Sequence, residues 1–250
     1  RHATPMPLAE VALARALTAT PAVAAAAALA VTNGRVTAAA DVGWPDLHGT
    51  VLLVGDEHAA LVDLAAAATT PWRDLAGRPR ARVECVDVPA EVVPAPPGFD
   101  ARLTVLRVHA ALGAVEGACR LTREHVTTRI QFGRPLSKLQ AVAHRLAEME
   151  CARVLLEVAA SAALDLSSAR VAAAATLLDP VATTVARLAH QLHGAMGITE
   201  ECPLHRYTTL LWSLRDETGP ARHWALRLHE LVGSDEDSVW TAVTTRPAGR

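Results

Sequence analysis

Three short stretches of this chain hold residue types that could do chemistry. The first is Arg129-Ile130-Gln131-Phe132-Gly133-Arg134-Pro135-Leu136, with Gln140 just beyond it. A guanidinium at such a corner can grip a diphosphate through its planar fork. Gly133 lets the backbone turn tightly, and Phe132 can pack on a cofactor. The second is Gln191-Leu192-His193-Gly194-Ala195-Met196-Gly197-Ile198-Thr199. Gly194 and Gly197 let a ligand approach the backbone closely, and Gln191 can hydrogen-bond a nucleotide or a carbonyl. Taken singly, each stretch also suits ordinary structure: a helix corner with a surface arginine, and a glycine helix cap. The third is Arg215-Asp216-Glu217-Thr218-Gly219. There Glu217 is the candidate general base, set against a solvated carboxylate near the start of the last helix. His193 and His205 stand near no Ser or Cys nucleophile motif, so neither is expected to be catalytic.

These stretches need elements to position them. Residues 99–232 read as helical. Leu139, Val142, Leu146 and Met149 recur with helical period after Pro135, and Val181, Val185, Leu188 and Leu192 do so after Pro180. Breakers at Gly133, Pro135, Pro180, Gly194, Gly197, Pro203 and Gly219 divide the region into roughly five helices, an antiparallel bundle. Residues 23–98 carry short β-branched runs: Ala30–Thr32, Arg35–Ala38, Val51–Val54, Ala60–Leu64 and Val83–Val88. Asn33-Gly34 between the first two predicts a hairpin, and Pro-rich Val93–Gly98 predicts a linker. Residues 1–22 hold one short helix, Pro7–Leu17, and 233–250 read as a tail. The fold class expected is therefore α+β: a small, mostly antiparallel β domain followed by a C-terminal antiparallel helical bundle.

Composition removes several function classes. With 24 Lys+Arg against 26 Asp+Glu and 3% aromatics, the chain shows neither a nucleic-acid footprint nor a base-stacking surface. The apolar run Pro21–Val31 is shorter than the ~20 residues needed to cross a bilayer, and no basic segment of an export signal precedes it. No membrane association is expected. Cys85, Cys119, Cys151 and Cys202 are too widely spaced for a zinc site or a compact disulfide scaffold. Reduced thiols, a cytoplasmic location and no metal are expected.

Together the motifs carry a resemblance. Arg129-x-Gln131-Phe132-Gly133 with Gln140, then Gln191-x-His193-Gly194-x-x-Gly197-x-Thr199 about sixty residues on, resembles the C-terminal half of acyl-CoA dehydrogenases. Leu139–Met149 and Pro203–Tyr207 are similar too. The resemblance implies FAD bound between two subunits and α,β-desaturation of an acyl-CoA thioester. It implies that Arg129, Gln131, Phe132, Gly133 and Gln140 contact the diphosphate and adenosine of the partner's flavin, with Gln191, Gly194 and Gly197 closing around the rest. Ala195 stands where a second glycine is commoner.

The departures from the family are also informative. A full member has helical, β and helical domains, and the first is nearly absent here. Nothing in residues 18–50 is similar to the Thr-Glu-Pro-x-x-Gly-Ser-Asp-like loop that holds the isoalloxazine ring, so the chain is either a fragment or a subunit that has shed the flavin-holding half. Glu217 is about one residue out of register with the family's base, and Asp100-Ala101-Arg102-Leu103 offers no glutamate at the alternative position. The chain is therefore expected to resemble the smaller subunit of heteromeric α2β2 acyl-CoA dehydrogenases of actinobacterial steroid degradation, a longer subunit supplying the base. The alternatives are a self-sufficient homo-oligomer using Glu217 and a flavin-free structural subunit.

Overall fold

The computed structural model describes residues 8–233. Pro7 and the tail from residue 234 lie outside the described residues. The chain forms two compact units that divide between Arg107 and Val108.

The first unit begins with α1 (Leu8–Leu17) and continues through eight strands: β1 (Val23–Ala26), β2 (Ala28–Thr32), β3 (Arg35–Gly43), β4 (Thr50–Val54), β5 (His58–Asp63), β6 (Ala68–Arg73), β7 (Pro79–Pro89) and β8 (Glu91–Pro94). They form two four-stranded sheets, ordered β1-β4-β5-β8 and β2-β3-β7-β6. Only the β1–β4 pairing is parallel. Asn33 and Gly34 both take positive φ in the β2–β3 hairpin, the conformation a two-residue turn needs to match strand twist. Alternation along β3 buries Val36, Ala38, Ala40 and Val42 against Val51, Leu53, Val83 and Cys85.

The apolar run Pro21–Val31, of which only Ala30 and Val31 were expected in a strand, contributes to two strands, β1 and β2, and one sequence expectation changes in this unit. The Pro-rich linker begins later than expected, because Val93 and Pro94 close the edge strand β8, pairing with Ala59 and His58. A proline is tolerated there because an edge strand need not donate on its outer side.

The second unit is built on α2 (Phe99–Thr128), α3 (Gln140–Ala162), α4 (Ser168–His193), α5 (Leu204–Thr218) and α6 (Ala221–Val232). The first turns of α2 belong to the β unit, where Phe99 and Leu103 are buried. Five helices were expected, but one break is misplaced. Pro180 lies inside α4 instead of ending it. Proline costs a helix interior about 3 kcal/mol, whereas each fully buried Leu or Val contributes ~1.5–3 kcal/mol. Leu178, Val181, Val185 and Leu188 flank Pro180 and are all buried, so burial on both sides carries the helix through. The break comes instead at Leu166, left-handed at φ 60. By length and composition alone, α4 and its following turn could cross a membrane, but more than half of that stretch is buried inside the bundle.

Candidate functional site

The corner after α2 is a miniature hairpin. β9 (Ile130–Gln131) pairs antiparallel with β10 (Arg134–Pro135), and Phe132 and Gly133 form the two-residue tip. Both tip residues take positive φ, 52° and 74°. For an aromatic residue this is uncommon and costs free energy. Phe132 projects from the tip at 83% exposure. Backbone bonds fix both ends of the hairpin: the Arg129 amide donates to the His125 carbonyl, and the Leu136 amide to the Arg129 carbonyl, each at 2.9 Å.

The corner is electrostatically one-sided. Arg129, Gln131, Arg134, Lys138 and Gln140 are all exposed. Neighbouring arginines of the bundle, among them Arg120, Arg123, Arg145, Arg153, Arg187 and Arg215, bond carboxylates. Arg129 and Arg134 form no ion pair among the described residues. Gln140 opens α3, which has no side-chain cap and no acid in its first turn. The first amides of α3 therefore point outward unsatisfied by the helix, and the helix dipole favours an anion there. Sequence reasoning missed Arg134 and Lys138. A signal was present, since no acidic residue occurs between Glu124 and Glu148.

The second motif ends α4 and forms a 3-10 turn, Gly194–Ile198. Gly194 has φ +60 and open space where a Cβ would stand. Gly197 differs. A Cβ there would meet the His193 Cβ at 2.8 Å, so this glycine is required by the turn's own packing. Gln191 is exposed, as are Met196 at 52% and Ile198 at 79%.

The structure brings the two motifs together through histidines. The rings of His125, in the last turn of α2, and His193, at the end of α4, stack with centroids 4.5 Å apart and planes 18° apart. His193 is buried, and its Nδ1 lies 2.8 Å from the Ala189 carbonyl, one helical turn back. Burial pushes the His125 imidazole below its ordinary pKa, and His193 and Arg129 push the same way. His190 meets the Thr208 hydroxyl of α5 at 3.0 Å through Nε2. It too is pushed down, mainly by burial and then by His193, while the Gly197 backbone opposes the shift. No hydrogen bond of good geometry closes on its Nδ1.

Glu217 stands elsewhere. It occupies the last turn of α5 and not the approach to the final helix, an end the helix dipole makes unfavourable for an acid. The reason is packing: α5 continues to Thr218, which is buried and whose carbonyl accepts from Trp224 Nε1 at 2.7 Å. Arg215 is committed to Asp216 at 2.7 Å and Asp179 at 3.5 Å, and lies over the Trp212 ring. A groove of about 480 Å³ runs beside this helix end, lined by Asp179, Arg215, Asp216 and Gly219–Arg222, and Glu217 is not among its walls. In the β unit, Asp100 is the carboxylate pushed above its usual range, by desolvation first and then by Asp56.

The corner suits the diphosphate of a dinucleotide. Two guanidiniums without carboxylate partners among the described residues, a lysine and an uncapped helix start fall within twelve residues of sequence, 129–140. Gly194 leaves room beside the second motif. The fit is to an anionic group such as a phosphate, and Gly197 is explained by packing alone.

Residues 100–215 match the family model described as acyl-CoA dehydrogenase, C-terminal domain. Acyl-CoA dehydrogenase FadE28 of Mycobacterium tuberculosis is 34% identical over 128 residues, which are 49% of this chain and 37% of that protein. The chain thus matches well under half of that relative's length. The fold is shared with the ChsE4-ChsE5 complex from Mycobacterium tuberculosis at TM-score 0.72 and 23% identity, covering 91% of this chain and 67% of that one. It is also shared with the Tcur3481-Tcur3483 steroid ACAD G363A variant, at TM-score 0.72, 20% identity, and coverage of 91% and 64%.

Proposed function

We propose, from the premise that residues 100–215 are an acyl-CoA dehydrogenase C-terminal domain, that this chain is one subunit of a heteromeric FAD-dependent acyl-CoA dehydrogenase. In this reading its Arg129 corner holds the ADP half of a flavin that is shared with a longer subunit. The observation that carries it is the corner itself: Arg129 and Arg134, exposed and without ion pairs among the described residues, beside the uncapped start of α3. Cations left unpaired where helix amides converge stabilise a bound diphosphate. Flavin, when bound, supplies hydride acceptance in α,β-desaturation of the thioester. This chain's residues bind and orient: Arg129 and Arg134 on the diphosphate, Gln131, Gln140 and Gln191 as hydrogen-bonding amides, and Phe132 as an apolar face.

The longer partner supplies the base. Supporting this, Glu217 ends a helix and is not part of the adjacent groove wall. Partner binding would also cover Ile130, Phe132, Met196 and Ile198, all exposed on the two motif segments; exposed apolar groups brought together mark interaction surfaces. The two structural neighbours, whose names describe a complex and a steroid enzyme, support a steroid-derived acyl-CoA as substrate. The cysteines, none in a disulfide, suit a reducing cytoplasm.

Co-expression with a longer acyl-CoA dehydrogenase subunit tests this. A yellow complex of both chains that reduces its flavin with acyl-CoA is expected. Flavin bound and turned over by this chain alone would favour the homo-oligomer with Glu217. A colourless complex would remove the cofactor role.

A further inference from the structure

We propose that the His125–His193 ring stack fastens the Arg129 corner to the Gly194–Ile198 turn, making His125 a positioning residue for the cofactor-facing end of the bundle. The proposal rests on the cofactor role given to that corner. His125 lies four residues before Arg129, and the Arg129 amide bonds its carbonyl. Any movement of the last turn of α2 therefore carries the corner with it. His193 immediately precedes Gly194 and is anchored at Nδ1 to Ala189. Burial at 7% exposure, together with the absence of a Cβ on Gly197, keeps that ring in place. Near-parallel rings at 4.5 Å join the two segments side chain to side chain.

The fastener is sensitive to protonation. Facing His125 are His193 from α4 and Arg129 from the corner. Beyond them, His190 of α4 faces His193 and also His205 of α5. All of these are bases, so a proton on His125 meets no compensating carboxylate in this group. The sign follows from the lowered imidazole. The unfolded chain binds the proton more readily than the folded one, so the stack is fully stable above the ordinary imidazole pKa. It weakens as pH falls through the lowered value.

Hydrogen exchange of the flavin-free full chain reads the fastener directly. Peptides covering 129–140 and 194–199 should lose protection between about pH 7.5 and about pH 5.5, after correction for intrinsic rates. The loss should be roughly two- to tenfold, the scale of an aromatic pair. His125→Phe keeps a stacking face that cannot titrate, so it should hold protection at both pH values. His125→Ala should lose it at both. A wild-type pH response in His125→Phe, or unchanged protection in His125→Ala, overturns the proposal. FAD retention by the two-subunit complex is measured alongside. If exchange behaves as expected but no variant, wild type included, retains FAD, the cofactor role falls and the fastener stands. If FAD is retained but exchange ignores residue 125, the fastener falls.

Discussion

Replacing Arg129 with alanine should weaken flavin retention while leaving the fold intact. The guanidinium is exposed and forms no ion pair among the described residues, so its removal leaves no buried carboxylate behind. Its two backbone bonds, to His125 and Leu136, do not need the side chain. Stability should therefore change by no more than about 0.5 kcal/mol. A charge-assisted contact to phosphate contributes about 1.5–3 kcal/mol. At an exposed corner, with Arg134 and Lys138 in the same exposed segment to share the anion, the lower end applies, roughly tenfold in affinity. Flavin fluorescence titration of the reconstituted complex gives the affinity, and calorimetry of the flavin-free chain gives the stability. Arg215→Ala is the matched control. It removes contacts with Asp179, Asp216 and Trp212, so it should lower Tm while sparing affinity. An Arg129→Ala protein with unchanged flavin affinity would refute the corner's role. A large fall in its Tm would show that the arginine is structural.

Glu217→Gln in the complex should leave single-turnover flavin reduction nearly unchanged; a loss on the order of 10²–10⁴ would make this chain the supplier of the base. Pro180→Ala should raise Tm, since a restored helix amide outweighs the lost rigidity of the unfolded chain by about 1–2 kcal/mol, roughly 2–8 °C; a lowered Tm would mean that the ring packs better than the backbone bond. Gly117→Ala should destabilise the bundle by about 1–3 kcal/mol, because a Cβ there would come within 2.0 Å of the Tyr207 ring; a denaturation midpoint equal to wild type would disprove that close approach of α2 and α5. Mass spectrometry after alkylation near pH 8 should find exposed Cys151 modified first. Cys119, pushed up to about 11 by burial and then by Glu150, and buried Cys85 should react only on unfolding; early modification of Cys119 would contradict the packing.

Local chemistry made much of this protein legible in its sequence. Asn33-Gly34 dictates its hairpin because few other residue pairs tolerate two positive φ values. Period-2 and period-3.6 patterning separated the β region from the helices, since each element must bury one face. The polar residues of the two motifs could be recognised because Arg129, Gln131, Gln140 and Gln191 are exposed and unconstrained by the core, so residue type alone shows what they can bind. What tertiary structure decided depended on partners distant in sequence. Pro180 reads as a breaker, yet the buried faces on both sides keep α4 whole. Glu217 reads as an acid near the start of the last helix, yet the packing of Thr218 and Trp224 places it at the end of α5. Gly197 looks like a ligand glycine until His193 is seen to occupy the space of its missing Cβ. His125 carries no motif at all, and only the packing of α2 beside α4 sets its ring on His193, because a stack between residues 68 apart in sequence is a property of how helices meet and not of any local pattern.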